Sequence, residues 1–109
     1  MRRVIAFDFD GTLCENRFPE IGEPNTELIN QLIEAQEAGS VVILWSCRCG
    51  KRLREAVKWS KEHGLRFDYV NRNDTERIRV FKSDCRKVSA EVYIDDRSAP
   101  FKYGERLEV

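Results

Sequence analysis

Val4-Ile5-Ala6-Phe7-Asp8-Phe9-Asp10-Gly11-Thr12-Leu13 decides the fold of this 109-residue chain. Four apolar residues in a row, Val4 to Phe7, suit a strand buried on both faces, as at the centre of a parallel sheet. Alternation sets Asp8 and Asp10 on one side of the strand and Phe7 and Phe9 on the other. Gly11 then lets the chain turn sharply. Two carboxylates held this close repel unless a cation sits between them or one keeps its proton. A buried strand that ends in such a pair is expensive to build and points to chemistry.

Outward from this strand, helix and strand signals alternate. Pro24-Asn25 predicts a helix entry with Asn25 as cap. Leu28, Ile29, Leu32, Ile33 and Gln36 mark one face of that helix, and Gly39 stops it. Val41-Val42-Ile43-Leu44-Trp45 reads as a second buried strand running into Ser46-Cys47-Arg48-Cys49-Gly50. A second helix is predicted over 51–63, with Leu53, Ala56, Val57 and Ser60 inward and Gly64 at its end. Phe67 to Val70 reads as a short strand, 71–89 as a polar, basic connection with a short helix near 74–82, and Glu91 to Asp95 as a further strand. The tail from Arg97 follows neither pattern. This alternation predicts an α/β fold, a doubly wound, Rossmann-like parallel sheet of about four to five strands with helices on both faces. Trp45, Trp59 and the phenylalanines read as core.

Length and composition set the limits. The chain is expected to be a single domain over 1–109, and its 41% hydrophobic and 35% charged residues suit an ordinary soluble protein. No apolar run of about 18 residues occurs, and Met-Arg-Arg-Val-Ile lacks the length and small-residue site of a secretory leader, so a cytoplasmic protein with no membrane partner is expected. The net charge of zero hides an asymmetry. Residues 1–40 carry three basic and eight acidic side chains and residues 48–87 carry thirteen basic and six acidic, so one region should attract anions. Cys14, Cys47, Cys49 and Cys85 lack the paired C-x-x-C spacing of structural zinc and are expected to be free thiols, dispensable for chemistry. His63 reads as a surface or C-terminal capping residue.

On the predicted sheet, Asp8 with Asp10, Ser46, and Asp95 with Asp96 all fall at the C-terminal ends of strands. In open parallel sheets ligands bind at that edge, where the strand order reverses. Four carboxylates without a histidine cluster suit Mg²⁺ better than zinc or copper.

At these residues the chain resembles the haloacid dehalogenase superfamily of phosphotransferases. Asp8-Phe9-Asp10-Gly11-Thr12, Ser46 after an apolar strand, a lysine, and Tyr93-Ile94-Asp95-Asp96 follow the family's four signatures in order over nearly the whole chain. Leu44-Trp45-Ser46-Cys47-Arg48 and Tyr93-Ile94-Asp95-Asp96-Arg97 look like a small capless subgroup. The resemblance implies a Mg²⁺-dependent phosphohydrolase in which Asp8 attacks phosphorus to form an aspartyl-phosphate, and Asp10 serves as general acid and then base. It implies Mg²⁺ held by Asp8, the Asp10 backbone carbonyl, Asp95 and Asp96, with Ser46 and a lysine on the phosphoryl oxygens. Lys87, eight residues before Asp95, fits the family spacing better than Lys82. Thr12 and Arg48 are candidate substrate-binding residues, with a purely structural role open for both; Ser46 can equally cap the helix after it.

Residues 11–24 are too few for an independent cap domain and suffice only for a short flap. A capless, open site suits a phosphorylated small molecule or a phosphorylated macromolecular end, or an oligomer that closes the site. Arg48, Arg72, Arg77, Arg79, Lys82 and Arg86, on connections near the active edge, favour a polyanionic substrate, and no aromatic stacking platform is evident among them. A phosphotransferase of the same mechanism and a non-enzymatic phosphate- or nucleic-acid-binding module are the alternatives.

Overall fold

The computed structural model describes residues 2–97 and 101–107. In chain order the elements are β1 (Val4–Phe7), β2 (Cys14–Arg17), β3 (Glu20–Pro24), α1 (Thr26–Glu37), β4 (Val41–Leu44), α2 (Gly50–Glu62), β5 (Tyr69–Val70), α3 (Thr75–Phe81) and β6 (Val92–Ile94). Four of the strands form one parallel sheet in the order β5-β4-β1-β6. The chain winds outward from β1 through β4 to β5, then returns across the sheet to place β6 on the other side of β1. The strand order therefore reverses between β1 and β6, and a crevice opens there at the carboxyl ends.

β1 and β4 are buried along their whole length, as continuous apolar runs require in a sheet covered on both sides. Ile5, Phe7, Val42, Leu44 and Ile94 face α1 and α2, whose Leu28, Ile29, Leu32 and Ala56 complete the larger core with Phe9, Leu13 and Leu65. Asn25 caps α1 by accepting from the Leu28 N–H at 3.4 Å. His63 closes α2, with its Nδ1 2.8 Å from the Trp59 carbonyl.

The opposite face is thinner. Val4, Ala6, Val41 and Ile43 pack against Val88, with Tyr69 and Ala90 at the margin. The seven-residue α3 is anchored there by Arg77, whose guanidinium donates to Ser89 Oγ (2.9 Å), to the Arg2 carbonyl (3.1 Å) and to Glu91. Arg77 is buried, so it does not join the cationic rim expected from the sequence. The connection after α3 is organised by Asn73, also buried. Its N–H and Nδ2 donate to Asp84 Oδ1 at 3.0 and 2.9 Å, Nδ2 also to the Cys85 carbonyl, and its Oδ1 accepts from the Ser89 N–H at 2.6 Å.

The flap expected over 11–24 contains a feature that the sequence pattern did not show, an antiparallel hairpin of β2 and β3 turning at Phe18-Pro19. Its strands are mostly polar and lack the apolar alternation that marks a half-buried strand. Gly22 lets them approach, because a Cβ there would lie 2.5 Å from the Glu15 carbonyl oxygen.

Candidate active site

β1 delivers Asp8 to the crevice, and β6 delivers Asp95 and Asp96 from the adjacent strand. The Asp8 N–H donates to the Ile94 carbonyl at 2.9 Å, so the two strand ends are in register where the carboxylates emerge. One carboxylate oxygen from each of Asp8, Asp95 and Asp96 lies within 4.8 Å of the others. Gly11, at φ +81°, makes room for this cluster. A Cβ on it would stand 2.4 Å from Asp96 Oδ2.

The crowding shows in proton affinity. Burial pushes the Asp8 carboxyl up from 3.8 to about 6, the charges of Asp95, Asp96 and Asp10 add to the rise, and a hydrogen bond from the Phe9 N–H opposes it. Asp96 is also raised, by burial first and then by its hydrogen bond with Asp95 and that neighbour's charge. Three carboxylates gathered within 4.8 Å repel one another, and a cation between them would relieve that repulsion.

Asp10 takes a different position. Its carboxylate is gripped by Arg48, which donates from Nε to Oδ2 at 2.8 Å and from Nη2 to Oδ1 at 2.7 Å. Arg48 also donates to the Glu20 carbonyl (3.0 Å) and the Pro19 carbonyl (3.3 Å) of the hairpin, and its Cζ lies 5.0 Å from the Phe9 ring centre and 5.1 Å from that of Phe18. The guanidinium of Arg48, a candidate for substrate binding or for a structural role, is 1% exposed and bound to Asp10. Thr12, the other such candidate, lies in the turn after β1. The N–H groups of Thr12 and Leu13 both donate to the Phe9 carbonyl, and this turn tucks the Thr12 side chain fully inside, with no partner for its hydroxyl among the described residues.

Ser46 is half-buried beyond the end of β4. Its Oγ accepts from the Arg48 N–H at 3.1 Å, a turn bond that leaves its own hydrogen to donate. Its backbone N–H donates to Asn71 Oδ1 at 2.8 Å. Ser46 does not cap α2; Cys49 occupies that position without a side-chain cap. Lys87 is exposed, with Nζ 5.6 Å from the centre of the Tyr93 ring. Lys82 ends α3 in the left-handed region, at φ 58°. Of the two lysines it is Lys87 that lies against a wall of the crevice.

That crevice is a cavity of about 260 Å³ whose lining includes Ala6, Asp8, Trp45, Tyr93, Asp95 and Arg97. Trp45, expected in the core, is 37% exposed and in contact with Tyr93, their ring centres 5.6 Å apart. Sequence reasoning missed Tyr93 and Arg97 as wall residues; strand alternation, which puts Tyr93 and Asp95 on one face, was the available signal. Cys14, Cys47, Cys49 and Cys85 are free thiols, and burial pushes the Cys14 thiol up to about 11.

No protein-family model matches the chain, and no curated protein does. Among solved structures, a conserved protein from Bacteroides thetaiotaomicron is 37% identical over 91% of this chain and 79% of its own, with a TM-score of 0.79.

Proposed function

The chain belongs to one family with that conserved Bacteroides thetaiotaomicron protein, and from its carboxylate crevice we propose that it is a Mg²⁺-dependent phosphohydrolase of phosphate monoesters, with the haloacid dehalogenase mechanism that its motifs resemble. The observation that carries this reading is the meeting of Asp8, Asp95 and Asp96 within 4.8 Å at the reversal of strand order. Ligand oxygens about 2.0–2.1 Å from Mg²⁺ stand at most about 4.2 Å apart. The three carboxylates therefore fit the ion after closing by roughly half an ångström. Asp8, Asp95 and Asp96 would hold it, and it would supply Lewis-acid neutralisation of phosphoryl charge.

Asp8 attacks phosphorus through a carboxylate oxygen, the ester P–O bond breaks, and the leaving oxygen takes a proton from Asp10. Asp10 then takes a proton from water, whose oxygen displaces the phosphoryl group from Asp8 and releases inorganic phosphate. Both Asp10 oxygens accept from Arg48, but a carboxylate oxygen keeps a second lone pair for the proton in transit. Ser46 and Lys87 supply a hydroxyl donor and a positive charge for the phosphoryl oxygens.

Phosphate release from a panel of monoesters tests the reading. EDTA should abolish turnover, and Mg²⁺ should restore it far better than Ca²⁺, which prefers more ligands at longer distances. Undiminished activity after exhaustive chelation would refute the metal assignment. Adding an acceptor alcohol separates hydrolysis from transfer, since a transferase gives a new ester in place of inorganic phosphate.

A further inference from the structure

We propose that Trp45 and Tyr93 form a shelf for a planar aromatic ring, so that the crevice takes monoesters of ring-bearing molecules in preference to aliphatic ones. The inference rests on the phosphohydrolase reading for the phosphoryl half of the ligand.

The shelf follows from the sheet. Tyr93 pairs with Ala6 in the strand register, and Ala6 pairs on its other side with Ile43, two residues before Trp45. The small Ala6 side chain leaves the space above β1 open, and the two large rings close over it at a 50° tilt. Rings already in contact leave no slot between them, so what they offer a ligand is outer surface. Each is 37% exposed, beside Ala6 and Ile43, which are buried.

The surface is fixed before any ligand arrives. The Tyr93 hydroxyl donates to the Val88 carbonyl and accepts from the Ala90 N–H at 3.1 Å, so its polar end is satisfied within the protein and its ring is held still. A rigid aromatic wall loses little entropy on binding. The wall is continuous with the carboxylates, since Trp45, Tyr93, Asp8 and Asp95 all line one cavity of about 260 Å³. Ligand sites commonly run from about 300 to 1,000 Å³, so this one suits a phosphoryl group and little more than one ring. Lys87 over Tyr93 and Arg97 in the lining add positive charge around the crevice.

The ring can be a nucleobase or a simple aryl group, and the test separates them. Non-hydrolysable phosphonates are titrated into the Mg²⁺-loaded protein while the indole N–H resonances are followed. Phenylphosphonate should bind roughly 5- to 100-fold more tightly than ethylphosphonate, the span that ring stacking usually confers, and should shift the Trp45 signal. Trp45→Leu should abolish the difference. A matching preference for adenosine 5′-monophosphate over ribose 5-phosphate assigns the ring to a nucleobase; a preference confined to phenylphosphonate assigns it to an aryl group. Equal affinities of phenyl- and ethylphosphonate, or an unmoved Trp45 resonance, overturn the proposal. So does a Trp45→Leu variant that merely turns a dimer into a monomer. The wild-type comparison needs no variant and stands if Trp45→Leu folds poorly. Ring preference without hydrolysis of any monoester would sink the phosphohydrolase reading alone, and hydrolysis without ring preference would sink this one alone.

Discussion

Arg48 meets Asp10 in a two-pronged grip, Nε to Oδ2 at 2.8 Å and Nη2 to Oδ1 at 2.7 Å, while also donating to the Pro19 and Glu20 carbonyls of the hairpin. A planar fork fixes the plane of a carboxylate in a way that a lysine ammonium cannot. Asp10, the general acid of the proposed mechanism, is thus oriented by the side chain that pins the hairpin down.

Arg48→Lys should therefore lower kcat on an alkyl phosphate by about 10- to 100-fold and leave KM nearly unchanged, because the charge survives and the alignment does not. An aryl phosphate, whose leaving group needs less protonation, should lose less. Steady-state kinetics on both substrates checks this, and equal losses would separate Arg48 from acid catalysis. Arg48→Ala strands the Asp10 charge and should cost about 3 kcal/mol in urea unfolding.

Asp8→Asn should abolish turnover and stabilise the metal-free protein at neutral pH. A carboxyl raised from 3.8 to about 6 binds its proton more tightly folded than unfolded. Its effect on stability is therefore absent below about pH 4, grows unfavourable as pH rises to about 6, and is constant above. The two-unit shift sets a ceiling near 3 kcal/mol, which partial exposure of Asp8 reduces to about 1–2 kcal/mol. The difference between variant and wild type in urea should thus open between pH 4 and 6. Mg²⁺ should raise the Tm of the wild type more than that of the variant. A pH-independent difference would mean that Asp8 titrates normally.

Gly11→Ala should strike metal binding harder than folding. The new methyl would occupy the place of Asp96 Oδ2, 2.4 Å from its ideal Cβ position, and the carboxylate at the end of that side chain can swing away. The left-handed backbone adds a cost of about 1–2 kcal/mol. Calorimetric titration should show at least about a tenfold loss of Mg²⁺ affinity, as for the removal of a group that supports a metal site. Unaltered affinity would indicate that Asp96 takes no part in the site.

Asn73→Ala should loosen the connection that carries Lys87. It removes the three side-chain bonds to Asp84, Cys85 and Ser89, and a loss of about 2–4 kcal/mol follows at about 1 kcal/mol each. Hydrogen exchange should accelerate over 84–89 before the central strands respond. Uniform acceleration across the sheet would show that Asn73 supports the whole fold.

The parts of the molecule governed by local pattern were legible in its sequence. Apolar runs marked β1 and β4, Asn25 marked the start of α1, and the placement of Asp8 and Asp95 at strand ends followed from the alternation of elements. What escaped depends on contacts distant along the chain. The polar hairpin is held by Arg48, nearly 30 residues away, and no periodicity announces such a clamp. Arg48 and Arg77 read as rim cations because charge is normally solvated; burial became affordable only with Asp10 and Glu91 opposite them. Trp45 read as core because the spacing could not reveal how thinly its face of the sheet is covered.

The carboxylates of this crevice come from opposite ends of the chain. β1 is synthesised well before β6, and the two regions are joined across 87 positions by the bond from the Val4 N–H to the carboxylate of Glu91, just ahead of β6. Contacts so remote in sequence close late, because a long loop must be ordered before they give anything back. During vectorial synthesis Asp8 is exposed well before Asp95 and Asp96 exist. The nascent chain therefore carries one of the three carboxylates first, and the proposed cation seat is complete only when the sheet is.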